Sequence, residues 1–247
     1  MRHKRIAAFS CLCLLLVSGV AAAALPGPQR ALAPGLFGLS EIAPGVFTDD
    51  VSEQQRWLGI KAHGEARVQA FFGELKAQPR FILCTHQECE RRFGFTGVTA
   101  QTFGWHMIHL PPRALETPGL GFILMAHERT HAELHWRMGL GGLAYGSIPN
   151  WFDEGLASFV SRDARLDPFY VPEQRAWIRA SRNFWDWGQF VKARGWRDAY
   201  GAAADNVRRL DEALGHEGLL AMINSAIGQG GFDEAFAKAE AANSSQF

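Results

Sequence analysis

Internal repeats and low-complexity tracts are absent from this 247-residue sequence. That excludes a stacked array of modules and leaves a chain that buries itself in one core. Long apolar runs are nearly as scarce. The single example is IAAFSCLCLLLVSGV at 6–20. It is somewhat short for a membrane span, and no later segment qualifies at all. MRHKR precedes it and AAAA follows it. The pattern predicts a secretory signal peptide over 1–24, cut after Ala24, because Ala22 and Ala24 fit the small-residue cleavage rule. Cys11 and Cys13 lie inside the apolar run rather than after it, so no lipid-attachment signal is present. The expected protein is exported, periplasmic or secreted, and meets a membrane only if the leader stays uncut.

An excess of either charge is also missing, with 25 basic and 25 acidic residues. Removing Arg2, Lys4 and Arg5 with the leader leaves 22 basic residues and a net charge of −3. Such a balance argues against a nucleic-acid partner. Cysteine is rarer still. Of four, only Cys84 and Cys89 lie beyond the leader. In an exported chain they read as one short-loop disulfide. The rival reading is Cys84 acting as a nucleophile beside His86.

What the chain does have is 47% hydrophobic and 20% charged residues, enough for one sizeable core. Prolines 26, 28, 34 and 44 and glycines 27, 35 and 45 make 25–50 an irregular lead-in. Residues 51–247 form the expected domain, in two lobes. Within it the periodicity predicts a helix over 54–76, a strand over 80–84, a short helix over 87–94 and a strand over 102–110. Thr117 and Pro118 should open a long helix that stops at Gly139. GLGGLAYGS (139–147) reads as a loop, and Ser147 should cap a second helix over 148–163. From Gln174 onward the pattern is mostly helical, broken near Gly188, Gly195, Gly215 and Gly230. The fold class is α+β.

The long helix carries HERTH at 127–131. Positions i and i+4 lie one above the other, so His127 and His131 can send two imidazoles to one point. Glu128 sits about 100° round the helix, beside that point rather than at it. A catalytic zinc normally takes three protein ligands and a water. Leu134 and Arg137 stand where one zinc-peptidase pattern places a glycine and a third histidine, so that pattern is excluded. His135 continues the stripe but lies a further turn along, about 6 Å past His131. The better source is NWFDEGLAS (150–158), where Glu154 competes with Asp153. Adjacent helical residues point about 100° apart, so only one of the two should face the metal.

HERTH followed by IPNWFDEGLAS resembles the gluzincin zinc metallopeptidases, in particular short bacterial members with tryptophan, glutamate and glycine in the second motif. The specific likeness covers 127–158, with a weaker one at Tyr200 and at GQGGFDEAF (228–236). The resemblance implies a zincin-like fold with a small mixed sheet, an active-site helix and a mainly helical C-terminal half. It implies one Zn2+ per chain on His127, His131 and Glu154, with Glu128 as general base. The substrate it implies is a peptide or protein. Tyr200 is the expected stabiliser of the oxyanion, with Tyr145 and His109 as alternatives. Many relatives carry an aspartate one turn after the glutamate ligand, and Ser158 stands there. The partner that orients the ligand histidine is therefore open, a hydroxyl or a backbone carbonyl being able to serve.

Two other functions use the same residues. One is a catalytically silent binding or assembly protein, and the other a zinc amidase acting on cell-wall peptides. In related folds a strand beside the site pairs with extended substrate, and WHMIHL (105–110) is placed for that. Trp177, Trp185, Trp187 and Trp196, interleaved with basic residues, read as core on a solvated helix pair.

Overall fold

Trp57, Ile60, Val68, Phe71 and Phe72 recur at helical spacing and are all buried in α1 (Gln54–Phe72). In the computed structural model, which describes residues 27–97, 99–167, 169–227 and 231–242, this helix lies against one face of a five-stranded sheet. The segment 1–24, expected to be a signal peptide, and residues 228–230 of the segment 228–236, Gly230 among them, lie outside the described residues. The strands are β1 (Ser40–Ala43), β2 (Val46–Thr48), β3 (Arg80–Leu83), β4 (Gln101–Phe103) and β5 (Met107–Leu110), in the order β1-β2-β3-β5-β4. β2, β3 and β5 run parallel, and an antiparallel partner closes each side.

Two strand expectations need correction. The segment 25–50 is not irregular throughout, because it supplies β1 and β2. Pro44 and Gly45, read as loop residues, form the hairpin turn between Ala43 and Val46, with Gly45 at φ 73°. The stretch 102–110 is two strands rather than one. It doubles back through Gly104 at φ 56°, which leaves β5 interior and makes β4 the edge.

The remaining helices are α2 (Gln87–Phe93), α3 (Arg113–Glu116), α4 (Leu120–Tyr145), α5 (Asn150–Ser161), α6 (Pro172–Arg179), α7 (Phe184–Arg194), α8 (Trp196–Ser225) and α9 (Phe232–Ala242). The protein is mixed α+β. α4 starts later than expected because Thr117 ends α3, its N–H bonding the Arg113 carbonyl. Nor does Gly139 stop α4. It breaks the direction at φ 65°, ψ 179°, and helix resumes to Tyr145 where a loop was expected. Ser147 does not cap α5, and its hydroxyl has no partner. The first α5 amides, Asn150 and Trp151, bond instead to the carbonyls of Arg182 and Ser181, 3.2 Å away in each case. Gly188 lies inside α7, Gly195 joins α7 to α8, and Gly215 breaks the direction within α8.

α4 contributes to two packed clusters. Leu124, Met125 and Ala132 meet the sheet face carrying Phe81, Leu83, Ile108 and Leu110. Ala126 and Leu134 meet Trp151, Leu156, Ala203 and Val207 of the helical half. Its polar back is anchored by Glu133, fully buried, whose carboxylate accepts from the backbone N–H groups of Lys76 and Ala77 and pairs with Arg129. α4 is therefore held from three sides, which fixes the direction in which its histidines point. Among the described residues no helix is long and apolar enough to cross a membrane.

Cys84 and Cys89 form a disulfide on the far face of the sheet, so Cys84 is no nucleophile. His109 is buried on that same face with its ring 4.2 Å from Phe95. Neither ring nitrogen has a hydrogen-bond partner, and burial pulls its pKa down to about 3. Between pH 6.5 and 3 the unfolded chain therefore takes up a proton there that the folded chain refuses, and stability falls as pH falls. The loss at pH 4.5 relative to neutral pH should be about 3 kcal/mol. His109→Phe should remove that share of the acid sensitivity, read as a smaller drop in the urea midpoint between pH 7 and 4.5. An unchanged drop would mean that His109 is not the group responsible.

Candidate metal centre

α4 and α5 cross so that the HERTH face of one meets the Asp153–Glu154 corner of the other. Gly155 makes the approach of the next layer possible. A Cβ there would lie 2.6 Å from the Ala203 carbonyl oxygen of α8, so glycine lets α5 seat against the helix that carries Tyr200. Gly64 does the same for α1 against α4, where a Cβ would lie 2.4 Å from Met125 Cγ.

At the crossing, His127 Nε2 and His131 Nε2 face each other at 3.1 Å. Glu154 Oε2 lies 3.3 Å from the first and 3.4 Å from the second. Ligands about 2.0–2.1 Å from an ion at the tetrahedral angle stand roughly 3.3–3.4 Å apart. The two edges to Glu154 have that length, and the edge between the imidazoles, at 3.1 Å, is slightly shorter. Glu154 Oε2 is buried and meets hydrogen-bond geometry with neither imidazole, so a cation on the triangle would satisfy it. The donor set of two imidazoles and one carboxylate thus fits a divalent ion on both geometry and chemistry.

Asp153 makes different contacts. Its oxygens lie 2.6 Å from His131 Nδ1 and 2.8 Å from His135 Nε2, the lengths of charge-assisted hydrogen bonds. With Nδ1 engaged by Asp153, His131 turns Nε2 into the triangle. His135 Nδ1 lies 3.2 Å from the Gly104 carbonyl, so both its ring nitrogens are occupied. The orienting partner left open in the sequence is therefore Asp153. Ser158, one helical turn after Glu154, does not supply it. Its buried hydroxyl is unpartnered and lines a separate cavity of about 560 Å³ with Arg67, Phe71 and Arg208.

The electrostatics follow from this packing. Burial pulls the His131 pKa down, but the carboxylates of Asp153 and Glu154 outweigh it and hold it well above the usual value. Burial pushes Glu154 up, and His131 and His127 overcome that and lower it to about 2. Asp153 is held far below the usual carboxylate range, burial being outweighed by His131 and His135.

Glu128 stands beside the triangle, not in it. Burial raises its pKa, with His127 and His131 pulling the other way. The Thr102 hydroxyl on β4 lies 2.8 Å from Glu128 Oε2 and 2.9 Å from the Glu128 carbonyl oxygen. Tyr200 places its ring 5.9 Å from that of His127, and burial raises its pKa well above the usual tyrosine value. A cleft of about 340 Å³ joins His127, Glu128 and Tyr200.

Several expectations are not met. Tyr145 is 91% exposed at the end of α4 and does not line this cleft, and His109 lies on the opposite face of the sheet. The strand next to the site is β4, with Thr102, rather than 105–110. The tryptophans split: Trp187 is buried and Trp177 packs on the core, whereas Trp185 is 78% exposed and Trp196 lines the cleft. Sequence reasoning missed Thr102 and placed Asp153 only as a competing ligand. Adjacent residues on one helix pointing at successive histidines was the available signal for Asp153. Thr102 had none, since its contact depends on the turn at Gly104. Comparison of this chain with protein-family models, with curated proteins and with solved structures finds no match.

Proposed function

We propose that this chain is an exported, zincin-like metallopeptidase of the gluzincin type, holding one Zn2+ on His127, His131 and Glu154. The observation that carries the reading is the triangle of Nε2, Nε2 and Oε2 atoms, with edges of 3.1, 3.3 and 3.4 Å, and a buried carboxylate standing just outside it. Zinc suits two neutral imidazoles and a carboxylate and, when bound, supplies a Lewis acid that brings the pKa of water towards ~7.

The chain's own residues then divide the work. Glu128, with a pKa raised by burial, takes the proton of the attacking water and returns it to the leaving amine. Thr102 holds one Glu128 oxygen by a hydrogen bond, which fixes the carboxylate plane. Tyr200 keeps its phenolic proton, because burial and the nearby Glu154 oppose its loss. It can therefore donate a hydrogen bond to the oxyanion that forms at the carbonyl. Asp153 holds His131 in one tautomer. The open side of edge strand β4 offers backbone groups to an extended peptide, a mode of binding with little side-chain preference.

The test is metal analysis of the purified chain beside a peptide-library digest. The expected result is close to one zinc per chain, with cleavage lost on chelation and restored by added zinc. A metal-free chain, or cleavage indifferent to chelators, would reject the proposal.

A further inference from the structure

The same cleft holds two guanidinium groups that the hydrolytic chemistry does not use. Arg113 opens α3 and Arg165 lies in the turn after α5, and both line the cleft with His127, Glu128 and Tyr200. Arg165 is pre-arranged. Its Nε and Nη2 bond the two oxygens of Asp163 at 2.7 and 2.5 Å, and its guanidinium carbon lies 5.0 Å over the Trp196 ring. That leaves Nη1 without an acceptor among the described residues. Arg113 makes no hydrogen bond and no ion pair at bonding distance among the described residues. Burial and the like charge of Arg165 both lower its pKa, and Glu90 opposes them only through space. Two cations thus share one cleft with two carboxylates, of which Asp163 bonds Arg165 and Glu128 bonds Thr102.

We propose that Arg113 and Arg165 form an anion subsite of the metal cleft that binds a carboxylate of the substrate. Arg113 offers a whole guanidinium, and Arg165 offers Nη1 from a side chain held flat by Asp163 and Trp196. Guanidinium groups match carboxylate geometry and donate charge-assisted hydrogen bonds to it. The carboxylate can be the C-terminus of a peptide or the side chain of an aspartate or glutamate. The inference rests on the peptidase reading for its choice of substrate, but not for the existence of the subsite.

The experiment has two arms. In the first, matched fluorogenic peptides differ only at one group: free C-terminal acid against amide, and Asp or Glu against Asn or Gln near the scissile bond. The expected result is a preference of tenfold or more in kcat/KM for one of the anionic members. It should shrink as salt rises and vanish in Arg113→Glu, an exposed position. Which pair shows the preference identifies the source of the carboxylate. In the second arm, calorimetry measures binding of an acetylated peptide acid and its amide to the Glu128→Gln chain. Equal binding of acid and amide, with equal kcat/KM for every pair, overturns the subsite. Selective binding of the acid without turnover by the parent chain rejects the peptidase reading and leaves the subsite standing.

Discussion

Glu128→Gln should keep close to one zinc per chain and lose peptide hydrolysis by roughly 10²–10⁴-fold in kcat, the share a positioned acid–base group supplies. Retention of metal follows from geometry. The three atoms at 3.1, 3.3 and 3.4 Å belong to His127, His131 and Glu154, and no Glu128 atom is among them. Glutamine has the same shape, so its side-chain oxygen can still accept from the Thr102 hydroxyl. It cannot take up a proton. KM should change only a few-fold, because the open cleft and β4 are untouched. The measurement is kcat and KM on one cleaved peptide, with metal content on the same samples. A variant that turns over at the parent rate would remove Glu128 from the role of base.

The motif residues were legible because helical geometry alone determines their relation. Spacing of four places His127 and His131 together wherever the helix sits, and that needed no knowledge of the fold. The neighbour of the second motif was harder. A 100° rotation separates Asp153 from Glu154, but which one faces the Nε2 atoms of His127 and His131 depends on how far α5 rolls against α4 and α8. Gly155 sets that roll by its contact with Ala203. The strands were read less well where turn chemistry decided them. Pro44–Gly45 read as loop and Gly104 as the interior of a strand, and both are hairpin corners. Arg129 and Glu133 would pass for a solvated helix face. They are buried because each satisfies the other and Glu133 also receives the amides of Lys76 and Ala77, contacts made 52–57 residues away in sequence.

Glu154→Ala and Asp153→Asn should separate ligand from orienter, although the residues are neighbours. Alanine at 154 deletes one corner of the triangle and leaves two imidazoles, too few for a zinc site with one open position. The chain should lose its metal in buffer that leaves the parent loaded, and hydrolysis should vanish with it. Asparagine at 153 deletes no corner. It removes the charge that receives His131 Nδ1–H and His135 Nε2–H and turns one acceptor into an amide donor. Zinc affinity should fall by roughly 10–100-fold, as for other residues that hold a ligand histidine in place. Saturating zinc should then recover most of the hydrolysis in Asp153→Asn and none in Glu154→Ala. Competition against a chromophoric chelator gives both affinities. The 2.6 and 2.8 Å contacts of Asp153 are shorter than the edges around a tetrahedral ion, and the 3.3 and 3.4 Å contacts of Glu154 have that length. A reversal of the two phenotypes would therefore mean that α5 is rolled by one residue from the position described.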